Sequence, residues 1–202
     1  MGLSLQGEIL LSIYSIDYLL KCNVNECSER ILKLTPLSGK VDMFQMRDPV
    51  VLLLNNSSGL EILPADVTEI DKLQSMVTFS MREKEVDEER RVFERYPVSL
   101  AVSARRKFSS KRIQLAVRDI SLYGMGVVSY ADLDDNELID IDLITDRNMF
   151  YLSGQVVWKN NLGDCSEYGL KLTNYDVATK YSFEEFLRKQ KDNFINMMSK
   201  AR

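Results

Sequence analysis

Two stretches of this chain alternate strictly between apolar and small or polar residues. Val98, Leu100 and Val102 are separated by Ser99 and Ala101, and Ile113, Leu115 and Val117 by Gln114 and Ala116. A repeat of two belongs to a strand with one buried and one wet face, and a helix with its repeat of 3.6 cannot satisfy it. Further strand-like segments lie at 138–144, 149–158 and 168–172, with Gly124 and Gly126 in a strand between and residues 160–164 as a turn. About six strands on hairpin loops imply a closed or nearly closed barrel, because closure removes exposed sheet edges.

Upstream, short apolar runs at 9–14, 18–24, 31–34, 50–54, 67–70 and 76–79 are punctuated by Ser38-Gly39, Ser57-Ser58-Gly59 and Pro64. This rhythm predicts a second small antiparallel barrel or sandwich. Between the two halves lies REKEVDEER at 82–90, eight charges in nine positions with neither Gly nor Pro. The segment reads as a junction between domains at 1–86 and 87–202, and a short solvated helix is compatible with the same residues. Phe183, Phe186, Leu187, Phe194, Met197 and Met198 recur at helical spacing, and Ser182 with Glu185 makes a capping-box pattern. An amphipathic C-terminal helix follows, packed on the barrel or turned toward a partner or membrane. Its mixed polar face favours packing. The expected class is all-β: two small antiparallel β-barrels, a short charged linker and a C-terminal helix.

Composition removes several functions. The chain has no histidine, which excludes HExxH zinc sites, Ser-His-Asp triads and Cys-His pairs. Its three cysteines, Cys22, Cys27 and Cys165, have no zinc-ligand spacing and read as reduced packing residues. Asp132, Asp134, Asp135, Asp140 and Asp142 lack the glycine-centred calcium-loop pattern, so no metal is expected. A net charge of -4 argues against coating DNA or RNA, which needs a basic field. No apolar run approaches the ~20 residues of a membrane span. The start carries Glu8 and Asp17 without a basic region, so a cytoplasmic location is expected.

Two polar clusters carry chemistry. Arg91 and Arg95 form an R-x-x-x-R spacing preceded by Arg90, and Asp119-Ile120-Ser121-Leu122-Tyr123-Gly124 forms D-x-S-x-x-G. A guanidinium fork fits the O6/N7 edge of guanine and the oxygens of phosphate. Asp119 can accept from guanine N1–H and N2–H2, a donor pair that adenine lacks, and Ser121 adds an adaptable hydroxyl. Asp119 and Ser121 share parity, so both can face one side. Gly124 is read as a residue needing positive φ or close approach of backbone to ligand. A turn held by side-chain-to-backbone bonds is the plainer account of Asp119–Ser121.

In this order, and with Gly154-Gln155-Val156-Val157-Trp158 and Tyr168-Gly169-Leu170-Lys171-Leu172 behind them, the clusters resemble the PilZ domain, the bacterial receptor module for cyclic di-GMP. The resemblance spans about residues 88–200. With a barrel in front it is similar to the two-domain YcgR-type arrangement. It implies a non-enzymatic receptor with no cofactor, whose ligand meets Arg90, Arg91, Arg95, Asp119, Ser121 and Gly124. It also implies an interdomain change acting on a protein partner, with motility machinery such as the flagellar motor as the family-level suggestion. Arginine at position 90 resembles the family setting that accompanies two intercalated ligand molecules; the end of a solvated linker is its other reading. Trp158 can stack on a base or belong to the core. The alternative function is a PilZ-like protein-interaction scaffold with weak or no nucleotide binding.

Overall fold

The computed structural model describes residues 7–15, 18–38, 40–56, 59–82, 93–145, 147–173 and 176–200. The first barrel is built from β1 (Glu8–Ser12), β2 (Leu20–Cys27), β3 (Ile31–Pro36), β4 (Pro49–Asn56), β5 (Gly59–Asp71) and β6 (Met76–Met81). Its strands run in the order β1-β2-β3-β6-β5-β4 and close by pairing β1 with β4. The second barrel comprises β7 (Tyr96–Arg106), β8 (Arg112–Ser121), β9 (Gly124–Ser129), β10 (Leu138–Ile144), β11 (Met149–Asn161) and β12 (Ser166–Thr173). Its order is β10-β11-β12-β9-β8-β7, closed by β10 with β7, and every pairing in both barrels is antiparallel. A single described helix, α1 (Val177–Lys200), ends the chain. The all-β class with two barrels and a C-terminal helix is what the alternation predicted. Most of the expected linker, including Arg90 and Arg91, lies outside the described residues.

In the second barrel the period-two pattern does what it promised. Val98, Leu100, Val102, Ile113, Leu115 and Val117 join one buried core with Ile120, Met125, Val156 and Leu170. In the first barrel the run at 50–54 does not alternate, and β4 accounts for it by being buried on both faces. Val50, Leu52 and Leu54 enter the barrel core, while Val51 and Leu53 face outward onto Phe194 of α1. A strand covered on both sides has no use for a polar face.

The helix serves both barrels. Phe183, Phe186 and Leu187 belong to the second core, where Phe183 meets Phe150 edge-on at 5.2 Å between ring centres. Phe194, about 12 Å further along the axis at 1.5 Å per residue, packs on β4 of the first barrel. The packing account of its apolar face therefore holds for both ends; the side chains of Met197 and Met198 are outside the described set. The capping residue differs from the sequence reading. Asp176 caps α1, accepting from Thr179 N at 2.8 Å, and Ser182 and Glu185 lie one turn or more inside. The cue was misread because Ser-x-x-Glu also occurs within helices.

Pro64 is a second difference. It is not a break but sits within β5, paired with Val51 of β4. Its carbonyl accepts from Arg82 N at 2.9 Å, just past the last residue of β6. A residue's N–H and C=O point to the same side in an antiparallel strand. The hydrogen that proline lacks would thus face the end of β6, where the ladder has stopped.

The barrels touch along β4 and β5 on one side and β7 and β8 on the other. Tyr14 N donates to Ser99 Oγ at 2.8 Å, and Tyr130 Oη donates to Met46 O at 3.0 Å. Burial, and then a hydrogen bond to the Asp48 carboxylate, pushes the Tyr14 phenol far above its ordinary range.

Candidate nucleotide site on the second barrel

Strand register fixes which side chains meet on the outer face. Ile120, Met125, Leu170 and Val156 point into the core, so their alternates point out. One outer row runs Asp119–Gly126–Gly169–Trp158 across β8, β9, β12 and β11. The adjacent row runs Ser121–Gly124–Lys171–Gln155 over the same strands. Three neighbouring outward positions therefore carry no side chain. The result is a glycine floor with an acid and a hydroxyl at one edge and an indole and an ammonium at the other.

The walls lean inward over this floor. A Cβ on Gly126 would lie 2.4 Å from Asp119 Oδ2, and one on Gly169 would lie 1.9 Å from Trp158 Nε1. Gly124 does not have the positive φ that was one of its two sequence readings. Positive φ among the described glycines is confined to Gly7 and Gly163, and a Cβ on Gly124 would make only ordinary contacts, 3.4 Å to Ser121 Oγ and 3.5 Å to Arg95 Nη2. The stringent glycines are Gly126 and Gly169, whose importance to the site sequence reading passed over because the crowding side chains are cross-strand neighbours. Gly126→Ala is expected to leave the fold intact, since only a side chain must shift, while lowering nucleotide affinity about tenfold by displacing Asp119. Titration beside a thermal melt checks this; equal affinity would mean that Asp119 need not lie there.

The structure brings Arg95, Asp119, Ser121 and Gly124 together. Arg95 Nη1 donates to Asp119 Oδ1 at 2.7 Å, and the two side chains are only 26% and 18% exposed. Ser121, buried, donates to Gly124 O at 3.3 Å. Arg95 and Asp119 thus satisfy each other, and Ser121 is satisfied by its own turn. Arg90 and Arg91 cannot be located, being outside the described residues. Trp158 is not a core residue: it is 40% exposed and lies across the backbone of Gly169, brought outward by a bulge between Val156 and Trp158.

Two cations beside the floor escaped the sequence reading. Lys171 is exposed next to Gly124, and Lys180 of α1 lies 5.4 Å above the Tyr123 ring, which itself meets Phe93 at 4.6 Å. Hydrogen bonding to Tyr123 holds the Lys180 ammonium above its usual range. Outwardness at Lys171 was implicit in the alternation of Leu170 and Leu172; contact between Lys180 and Tyr123 had no local signal. Among the described residues there is no group of three or more His, Cys, Asp or Glu positioned for a metal. No described helix is long and apolar enough to cross a membrane.

No curated protein matches the sequence. Among solved structures the chain is similar to the Bacillus subtilis inhibitor of motility MotI/DgrA, at 15% identity, covering 95% of this chain and 99% of that one with a TM-score of 0.43. It is similar to Escherichia coli YcgR in complex with c-di-GMP, at 12% identity, 96% and 88% coverage and a TM-score of 0.47. It is also similar to the K. pneumonia MrkH–c-di-GMP complex, at 12% identity, 98% and 90% coverage and a TM-score of 0.43. The PilZ domain model matches residues 89–189, half of the chain, and takes in the two arginine-bearing and acidic motifs, the glycine floor and most of α1. This chain belongs to the PilZ domain family.

Proposed function

We propose that this protein is a non-enzymatic, cytoplasmic receptor for cyclic di-GMP, and that ligand binding changes the arrangement of its two barrels to regulate a protein partner. The observation that carries the reading is the meeting of Arg95, Asp119 and Ser121 at one edge of a glycine-floored outer face. Asp119 offers guanine two acceptor oxygens for N1–H and N2–H2. Arg95 must then release it and turn to a guanine edge or a phosphate. Arg90 and Arg91 supply two more guanidinium groups from the preceding segment, and Lys171 adds a charge across the floor. Each bidentate contact contributes about 1–3 kcal/mol of base discrimination. Trp158 is the stacking surface at the far edge.

The switch follows from the same exchange. The described counter-charge for Arg95 is Asp119 of its own barrel. Phosphate recruits the arginines of the segment that joins the two barrels, and pinning that segment biases their relative orientation. Domains 1–86 and 87–202 are the units we assign to this movement, with motility machinery as the class of partner.

Calorimetric titration with cyclic di-GMP, GTP and cyclic di-AMP tests the proposal. Heat with cyclic di-GMP alone is expected, and a stoichiometry near two supports stacking by Arg90. Scattering profiles with and without ligand should differ in radius; identical profiles would remove the switch but keep the receptor. No heat with any nucleotide would leave an interaction scaffold.

A further inference from the structure

The nucleotide edge of the second barrel does not end at Asp119. Beta strand β8 has a register shift between Val117 and Asp119, and the extra residue is Arg118. A bulge breaks the alternation, so consecutive side chains can share one face. Arg118 Cγ would lie 3.1 Å from a Cβ on Gly126, next to Asp119 over the same glycine. Its Nε is 3.6 Å from Asp119 Oδ2, and its Nη1 is paired with Glu167 Oε1 of β12. All three side chains are less than one-fifth exposed.

The first barrel carries a charged pair of its own, Asp66 and Arg82. Arg82, read from sequence as part of a solvated linker, is instead 13% exposed and docked at the end of β6. Its Nε lies 3.2 Å from Asp66 Oδ2 and its Nη2 donates to Ala65 O at 3.3 Å. Burial pushes the Asp66 carboxyl up, while the charges of Arg82, Arg118 and Arg47 oppose that rise. Burial likewise pushes Arg82 down to about 10, with Arg118 adding to the fall and Asp66 and Asp119 resisting it. The Asp66–Arg82 pair of the first barrel thus feels the charges of Arg118 and Asp119 on the second.

We propose that Arg118 is a positioning residue for the nucleotide site, and that the first barrel holds it there through Asp66 and Arg82. The inference rests on the reading of Asp119 as the guanine acceptor. When guanine displaces Arg95, Arg118 is the cation that remains beside the carboxylate and keeps it aimed over Gly126. Its hold is balanced by Glu167 on one side and by the Asp66–Arg82 pair on the other. With Asp66 uncharged, Arg82 loses its carboxylate partner and its positive charge acts on Arg118 and Asp119 unopposed, which disturbs the aim of Asp119 at guanine. A residue on the first barrel thereby tunes the affinity of the second, and by reciprocity the ligand tunes the contact between them.

The test is titration of the full chain with cyclic di-GMP, read by calorimetry and by the fluorescence of Trp158, the single tryptophan. Arg118→Met is expected to bind about tenfold more weakly and Arg118→Lys to fall between it and the parent, because lysine keeps the charge but cannot bridge two carboxylates. Asp66→Asn, isosteric and on the other barrel, is expected to weaken binding about threefold. Combined with Arg118→Met it should add no further loss, since both act through one link. Parent-like affinity in Asp66→Asn, parent-like affinity in Arg118→Met, or additive losses in the double variant each overturn the proposal. Should Arg118→Met fail to fold, the lysine and asparagine variants, which retain charge or shape, decide the question. No binding by the parent chain would instead remove the receptor reading, a failure visible before any variant is made.

Discussion

Asp119→Ala is expected to weaken cyclic di-GMP binding by about two orders of magnitude while barely moving the melting temperature. The contrast follows from the two jobs of the residue. Its partners in the protein are Arg95 at 2.7 Å and Arg118 at 3.6 Å, and the side chains retain some solvent exposure. Pairs of that kind near a surface contribute about 0–1 kcal/mol to stability. Toward guanine the same carboxylate accepts two hydrogen bonds in a site from which water is largely removed, and a good bidentate contact is worth about 1–3 kcal/mol. Its loss also leaves the guanine donors facing an apolar methyl group. Arg95→Ala should lose a comparable factor, through phosphate or guanine contact and through the freed carboxylate. The double variant should be less than additive, because each single change already breaks the pair that the ligand would have had to open. Calorimetry with all three variants, beside circular-dichroism melts, checks the set. Retained binding in Asp119→Ala would move the guanine site elsewhere.

Phe183→Ala is expected to be the most destabilising single change among those considered, by about 3–5 kcal/mol. Phe183 is fully buried, meets Phe150 edge-on at 5.2 Å and stacks on Phe186 at 6.1 Å. It seals one side of the second barrel core, where a cavity cannot be filled by collapse because closed strands are held on both sides. For a chain of this length the shift in melting temperature is roughly 10 °C. Phe194→Ala removes an equally buried ring from the other end of the helix, where Val51 and Leu53 of the first barrel receive it. Far-ultraviolet melts should therefore show both variants lowered. Trp158 fluorescence, which reports on the second barrel, should follow Phe183→Ala more closely. A melt of Phe183→Ala within a degree or two of the parent would mean that the helix is not part of the barrel core.

How much of this was readable in advance depended on the range of the interaction. The alternation at 98–102 and 113–117 is a local property, and each of those apolar residues lies in the core where period two put it. The helix at the end was equally local, as was the order of the two polar motifs. Where the reading failed, a partner distant in sequence had intervened. Pro64 is tolerated because β6 has ended beside it. Trp158, for which stacking and core were both open, faces outward because a bulge turned it onto Gly169. Arg82 left the solvent because Asp66, in a neighbouring strand of the same barrel, received it.

The candidate site divides along the same line. Residue types capable of holding guanine and phosphate were visible in Arg91, Arg95, Asp119 and Ser121, since hydrogen-bonding capacity belongs to a side chain wherever it stands. Which glycine matters, and which extra arginine aims the acid, were not visible. Those depend on Gly126 lying opposite Asp119 and on one inserted residue at Arg118. Chemical capacity is written residue by residue, whereas adjacency between strands arises only when a barrel closes and sets its register; a shift of one position would turn every one of these groups to the opposite face.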